Sequence, residues 1–76
     1  MVFLKGEKQM EFKLKGGLHD GKTLIRHEMD MYVRGYQDLI ATLDSLNNRY
    51  VITSYKDRTI TYYRQSRTAG VLEVIN

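Results

Sequence analysis

Hydrophobic and polar residues alternate from residue 23 to residue 34. Ile25, Met29, Met31 and Val33 share one parity with His27, while Arg26, Glu28, Asp30 and Arg34 share the other with Tyr32. A period of two is that of a β-strand with one buried face. The spacing therefore predicts a long strand over 22–34, with Ile25, His27 and Met29 turned inward and the charges toward water. Residues 9–15 alternate as well, Met10, Phe12 and Leu14 against Glu11, Lys13 and Lys15. Gly16-Gly17 and Asp20-Gly21 punctuate the connection. The two segments read as an antiparallel hairpin with a loop of about six residues.

The period then changes. Tyr36, Leu39, Ile40, Leu43 and Leu46 recur at helical spacing after Gly35. Gly35 suits an N-cap, Gln37 and Asp38 suit a first turn, and Asn47-Asn48 suits a left-handed C-terminal cap. These signals predict a helix over 36–47. A rival helix starting near Asp30 places Gly35 in a helix interior, at about 1 kcal/mol, and ranks second.

Residues 49–55 and 59–65 are rich in Val, Ile, Thr and Tyr and predict a second hairpin turning at Lys56-Asp57-Arg58. A three-residue turn gathers Tyr50, Ile52, Ile60 and Tyr62 on one face. Val51, Thr53, Tyr55, Thr59, Thr61 and Tyr63 then share the other, exposed face. Residues 66–70 form a polar link, and Val71, Leu72, Val74 and Ile75 suit a short last strand. The expected fold is one α+β domain in the order ββαββ(β), with a single helix across a small, mostly antiparallel sheet. Its expected core is Phe12, Leu14, Ile25, Met29, Leu39, Ile40, Leu43, Ile52 and Ile60.

Size limits how stable such a unit can be. A chain of 76 residues forms a single domain with a thin core. It has no cysteine, so no disulfide or thiolate metal site braces it. Proline is absent too. After Met1 the apolar run is Val2-Phe3-Leu4, shorter than the roughly 7–15 apolar residues of a signal peptide or the roughly 20 of a membrane helix. The expectation is a cytoplasmic protein that does not span a membrane. In size, and in its single mixed unit, the chain resembles the small accessory proteins of phages and mobile elements; no motif carries that resemblance.

The net charge is +3 and is unevenly spread: residues 49–76 hold five bases and two acids. That imbalance falls short of the dense basic stripe of a dedicated nucleic-acid binder. No catalytic constellation stands out. Ser45, Ser54 and Ser66 lack a nucleophile elbow or a neighbouring base. Gly21-Lys22-Thr23 resembles the end of a phosphate loop, but the remaining glycine spacing is wrong and no helix follows. His19, His27, Asp20, Glu28 and Asp30 match no compact metal spacing. His27 reads as a core-edge residue and His19 as part of a polar turn. Neither an enzymatic role nor a cofactor is expected.

The charges of the first hairpin read as a solvated face. Residues 49–67 are more suggestive, with Tyr50, Tyr55, Tyr62 and Tyr63 among Arg49, Lys56, Arg58, Arg64 and Arg67. The expected role is a non-catalytic binding or regulatory module acting through protein contacts on an exposed Tyr/Thr face. The candidate partner-binding residues are Tyr55, Tyr63, Arg58, Arg64 and Arg67. Unblocked strand edges and an apolar tail add an expected homodimer. The alternative is nucleic-acid binding, with Tyr55 and Tyr63 stacking bases and Arg58, Arg64 and Arg67 on phosphates.

Overall fold

The structure, a computed structural model, describes residues 9–28 and 30–76. Seven strands follow one another: β1 (Met10–Lys15), β2 (Thr23–Arg26), β3 (Met31–Val33), β4 (Leu39–Asp44), β5 (Arg49–Ser54), β6 (Thr59–Gln65) and β7 (Val71–Val74). They form one sheet in the order β3-β2-β1-β7-β6-β5-β4. Each strand pairs antiparallel with its sequence neighbour except across β3 and β4. β1 and β7 pair in parallel, Leu14 opposite Leu72. β3 and β4, the two ends of the order, lie side by side with no ladder between them; the isolated bridge Val33 to Tyr36 falls at the start of their connection. The result is a nearly closed barrel with a seam between β3 and β4. The parallel pair follows from the count: in an up-and-down ring of seven strands, the first and last must run the same way.

This all-β architecture overturns the expected α+β fold, since no helix occurs among the described residues. In place of the helix over 36–47 stand β4 and a four-residue turn, 45–48. Within β4, Leu39 and Ala41 face the interior, while Ile40 and Thr42 face out. The leucine spacing fitted a helix only through Leu46, which is 96% exposed. An isolated helix of that length is marginal, β-branched Ile40 and Thr42 favour a strand, and β5 offers Tyr50, Ile52 and Ser54 as partners. Asp44 stops the strand by accepting hydrogen bonds from the Asn47 backbone (3.3 Å) and side chain (2.9 Å), and Asn48 takes the left-handed φ of 53°.

The long strand over 22–34 is two strands. The chain turns back between Arg26 and Met31, with the His27 N–H donating to the Asp30 carbonyl at 2.7 Å. Arg26 pairs with Met31 and Ile25 with Tyr32, so an odd residue of β2 shares its face with an even residue of β3. Leu24, opposite Phe12 and Val33, therefore points inward. Ile25 shares the outer face with Glu11 and Tyr32, and is fully buried there, apart from the main core. His27 lies in the turn, stacked on Tyr32 with ring centroids 6.2 Å apart. Met29 lies outside the described residues, as does the short apolar run near Met1.

The second hairpin is offset in the same way. Ser54 pairs with Thr59, leaving a four-residue turn, 55–58, rather than three residues. The inward set becomes Tyr50, Ile52, Ser54, Thr59, Thr61 and Tyr63, so the expected Tyr/Thr face is divided between the two sides. The core consists of Phe12, Leu14, Leu24, Val33, Leu39, Ala41, Tyr50, Ile52, Tyr63 and Leu72. Ile40, Leu43 and Ile60, expected inside, are 43%, 37% and 58% exposed.

Candidate protein-docking surface

The outer surface of β4, β5 and β6 carries the exposed apolar side chains Ile40 and Ile60. Register places Ile40, Thr53 and Ile60 in one row across the three strands. The next row is Thr42, Val51 and Tyr62. Side chains opposite one another in a sheet lie about 5 Å apart, so these rows form a continuous patch. The residues are good strand formers, which is why they propagate the sheet. They leave Ile40 and Ile60 uncovered because those two fall on the parity opposite Ile52. Single exposed apolar side chains are ordinary, but a contiguous set marks a contact surface.

Charges frame the patch. At one end the Arg49 Nε donates to the Asp44 carboxylate at 3.0 Å, and its guanidinium lies 4.0 Å over the Tyr62 ring. The Asn47 side-chain amide, together with Arg49, holds the Asp44 carboxyl below its ordinary pKa of 3.8. Arg64 pairs with Glu73 across β6 and β7 at 3.0 Å. At the other end the 55–58 turn carries Tyr55, Lys56 and Arg58. The Ser54 hydroxyl shapes this turn by donating to the Asp57 carboxylate (3.2 Å) and accepting from the Asp57 N–H (3.1 Å). Arg58 holds the left-handed φ of 55° that glycine usually supplies.

The candidate residues do not converge on one site. Tyr55, 71% exposed, and Arg58 sit together on the 55–58 turn. Arg67 lies in the 66–70 link beyond the far end of β6, about 20 Å away at the usual rise per residue. Arg64 is exposed on β6 but already holds Glu73. Tyr63 is fully buried; its hydroxyl donates to the Gly16 carbonyl at 2.8 Å and accepts from the His19 N–H at 3.2 Å. It presents no ring to a partner, so its expected place on an exposed face is corrected. Of the four tyrosines in this segment, Tyr50 is buried too, with the Arg26 guanidinium on its hydroxyl at 2.8 Å, and Tyr62 is capped by Arg49.

Sequence reasoning missed Ile40 and Ile60 as surface residues because it assigned a helix to the first and the wrong turn length to the second. The turn chemistry held the signal: Ser54 and Asp57 are spaced for the hydroxyl–carboxylate clasp that makes a four-residue turn. A hollow of about 740 Å³ lies along the seam and is lined by Tyr32, Val33, Tyr36, Asp38 and Leu39 among others. Its lining contains no nucleophile with an adjacent base. No group of His, Asp and Glu among the described residues is arranged to hold a metal. Nor is any helix there long and apolar enough to cross a membrane. No protein-family model matches the chain, and neither a curated protein nor a solved structure is similar to it.

Proposed function

We propose that this protein is a non-catalytic protein-binding module that docks through the outer face of β4–β6, and that its first partner is a second copy of itself. The observation that carries this reading is the register row Ile40–Thr53–Ile60, apolar and uncovered on a sheet whose opposite side is already packed. Nucleic-acid binding is less favoured for a physical reason. Of the basic residues counted toward it, Arg64 is held by a carboxylate, as is Arg49 in the same segment. Of the tyrosines, only Tyr55 offers an unobstructed ring. The cytoplasm is the compartment we propose, on the absence of cysteine.

Magnitude sets the expected affinity. Three strands about 4.8 Å apart, each contributing about six residues, span roughly 300 Å². That is well under the roughly 800 Å² per partner of a stable complex, so the association is expected to be weak, with Kd of about 10 µM or weaker. Sedimentation equilibrium from about 10 µM to about 1 mM tests it. Concentration-dependent dimerisation that Ile60→Asp abolishes, with its circular dichroism unchanged, is the expected result. A monomer throughout refutes self-association. Titration of labelled single-stranded and duplex oligonucleotides at two salt concentrations tests the alternative. Salt-sensitive binding lost in the Arg58→Ala, Arg64→Ala double variant replaces the protein reading with a phosphate-driven one.

A further inference from the structure

The turn between β1 and β2 closes one end of the barrel and carries a histidine into it. His19 is 2% exposed, and neither ring nitrogen has a hydrogen-bond partner. Buried polar groups are nearly always paired, so an imbalance of this kind calls for an explanation. The backbone of the turn is well held without the ring. The His19 N–H donates to the Tyr63 hydroxyl, which donates to the Gly16 carbonyl. The Gly16 N–H donates to the Asp20 carboxylate at 2.6 Å. Gly17 lies against Val74 and the Tyr63 hydroxyl so closely that a Cβ there would stand 2.8 Å and 3.1 Å from them.

The surroundings of the ring are mixed. β5 ends and β6 begins at this end of the barrel, with Ser54 opposite Thr59 and Leu39. The Thr59 hydroxyl is also buried without a partner. Three charged groups act on the imidazole: Lys22 from the start of β2, Asp57 from the β5–β6 turn and Asp38 from the β3–β4 connection. None of them hydrogen-bonds it.

We propose that His19 is a proton-operated latch: the neutral ring seats the 16–21 turn in the barrel end, and protonation draws it out toward Asp38 and Asp57, releasing the turn from Tyr63. The seat suits only the neutral form. An imidazolium adds a second N–H donor and a charge, and the buried ring has no acceptor for either. Two carboxylates close enough to act on the ring give the charged form somewhere to go. Burial, aided by Lys22, keeps the ring's pKa below its ordinary 6.5, against the pull of Asp57 and Asp38. Below that value the released state takes up a proton that the seated state resists, so acid favours release. The latch does not depend on the docking reading.

Amide exchange, measured alongside an NMR titration of carbon-labelled histidine from about pH 7.5 to about pH 5.5, tests the proposal. Protection of the His19, Asp20 and Gly21 amides, corrected for intrinsic exchange, is expected to fall as pH drops below 6.5, by up to about tenfold per pH unit. The Ile52 amide, in the sheet interior, is expected to hold its protection. His27, at the opposite end of the barrel, supplies the comparison resonance. In His19→Gln the turn's protection is expected to be flat over this range. Retained pH dependence in that variant overturns the latch. Should His19→Gln fail to fold, the wild-type protein decides alone: a His19 ring that titrates while the protection of the turn stays constant refutes the proposal.

Discussion

Removing one oxygen atom, in Tyr63→Phe, tests how the barrel end is held. The aromatic ring stays, so the packing around it is unchanged. What is lost is the hydroxyl that donates to the Gly16 carbonyl at 2.8 Å and accepts from the His19 N–H at 3.2 Å. A buried polar group left without its partner costs about 1–3 kcal/mol. The His19 amide lies inside and bears the full penalty. Gly16 is half-buried, and its carbonyl can turn toward water, so its share falls at the low end. The expected loss is about 2–4 kcal/mol. Against roughly 4–11 kcal/mol for a domain of 76 residues, that is a large fraction. It corresponds to a fall in Tm of roughly 10–25 °C. Urea unfolding followed by circular dichroism measures it, and the slope should stay constant if only stability changes. Tyr55→Phe, on a ring 71% exposed, is the control and should lie within about 0.5 kcal/mol of wild type. A Tyr63→Phe loss below about 1 kcal/mol shows that the hydroxyl does not hold the turn.

Other consequences follow from the same geometry. Gly17→Ala should destabilise by about 2–3 kcal/mol, because the backbone sits at φ +71° and the new methyl meets Val74. Gly21→Ala, at φ +88° with open space around it, should lose only the backbone part, about 1 kcal/mol; equal losses in the two would discount the Val74 contact. Leu46→Lys should change stability by less than about 0.5 kcal/mol, since a side chain 96% exposed on a turn buries nothing, whereas a helix over 36–47 would make it costly. Burial raises the Tyr63 hydroxyl's pKa above its ordinary 10.0, with Asp20 adding to it and the His19 amide opposing. The unfolded chain therefore releases that proton first, and stability present below pH 10 is lost as pH rises further; urea midpoints at neutral and alkaline pH should fall in wild type and much less in Tyr63→Phe.

How much of this fold was legible depends on the turns. Strand-forming segments were read correctly at β1, β5, β6 and β7, because alternation and β-branched residues report directly on a pleated backbone. Facing was not, because it depends on the residue count of each turn. One residue too few at 55–58 moved Tyr63 to the surface and Ile60 to the core. One reversal overlooked between Arg26 and Met31 fused two strands and reversed Leu24 and Ile25. The helix over 36–47 was misread for a different reason. Leu39 and Leu43 satisfy both periods, Ile40 only the helical one, and only the partner strand decides between them. Of the candidate site, Arg58 was read on the turn where it stands, while Tyr55, read as an exposed strand residue, is exposed on the turn instead. The apolar row beside them was invisible, since it is assembled from three strands.

The seam has a consequence for the order in which the barrel assembles. β3 and β4 are joined by five residues, 34–38, yet no ladder pairs them; the one bridge there, Val33 to Tyr36, stays within the connection. The ladder that makes the ring is instead the one between β1 and β7, where Leu14 meets Leu72. Joining residues so far apart costs about 2 kcal/mol more loop entropy than closing a hairpin of about five residues. The two meanders, β1–β3 and β4–β7, contain only local pairings and can form before that cost is met. The most distant pair in the sequence is therefore the expected last step, and truncations at Leu14 or Leu72 should speed unfolding while leaving the folding rate nearly unchanged. The cheapest pairing available to the chain is the one it leaves almost unmade, so the finished ring should open first at its most local junction.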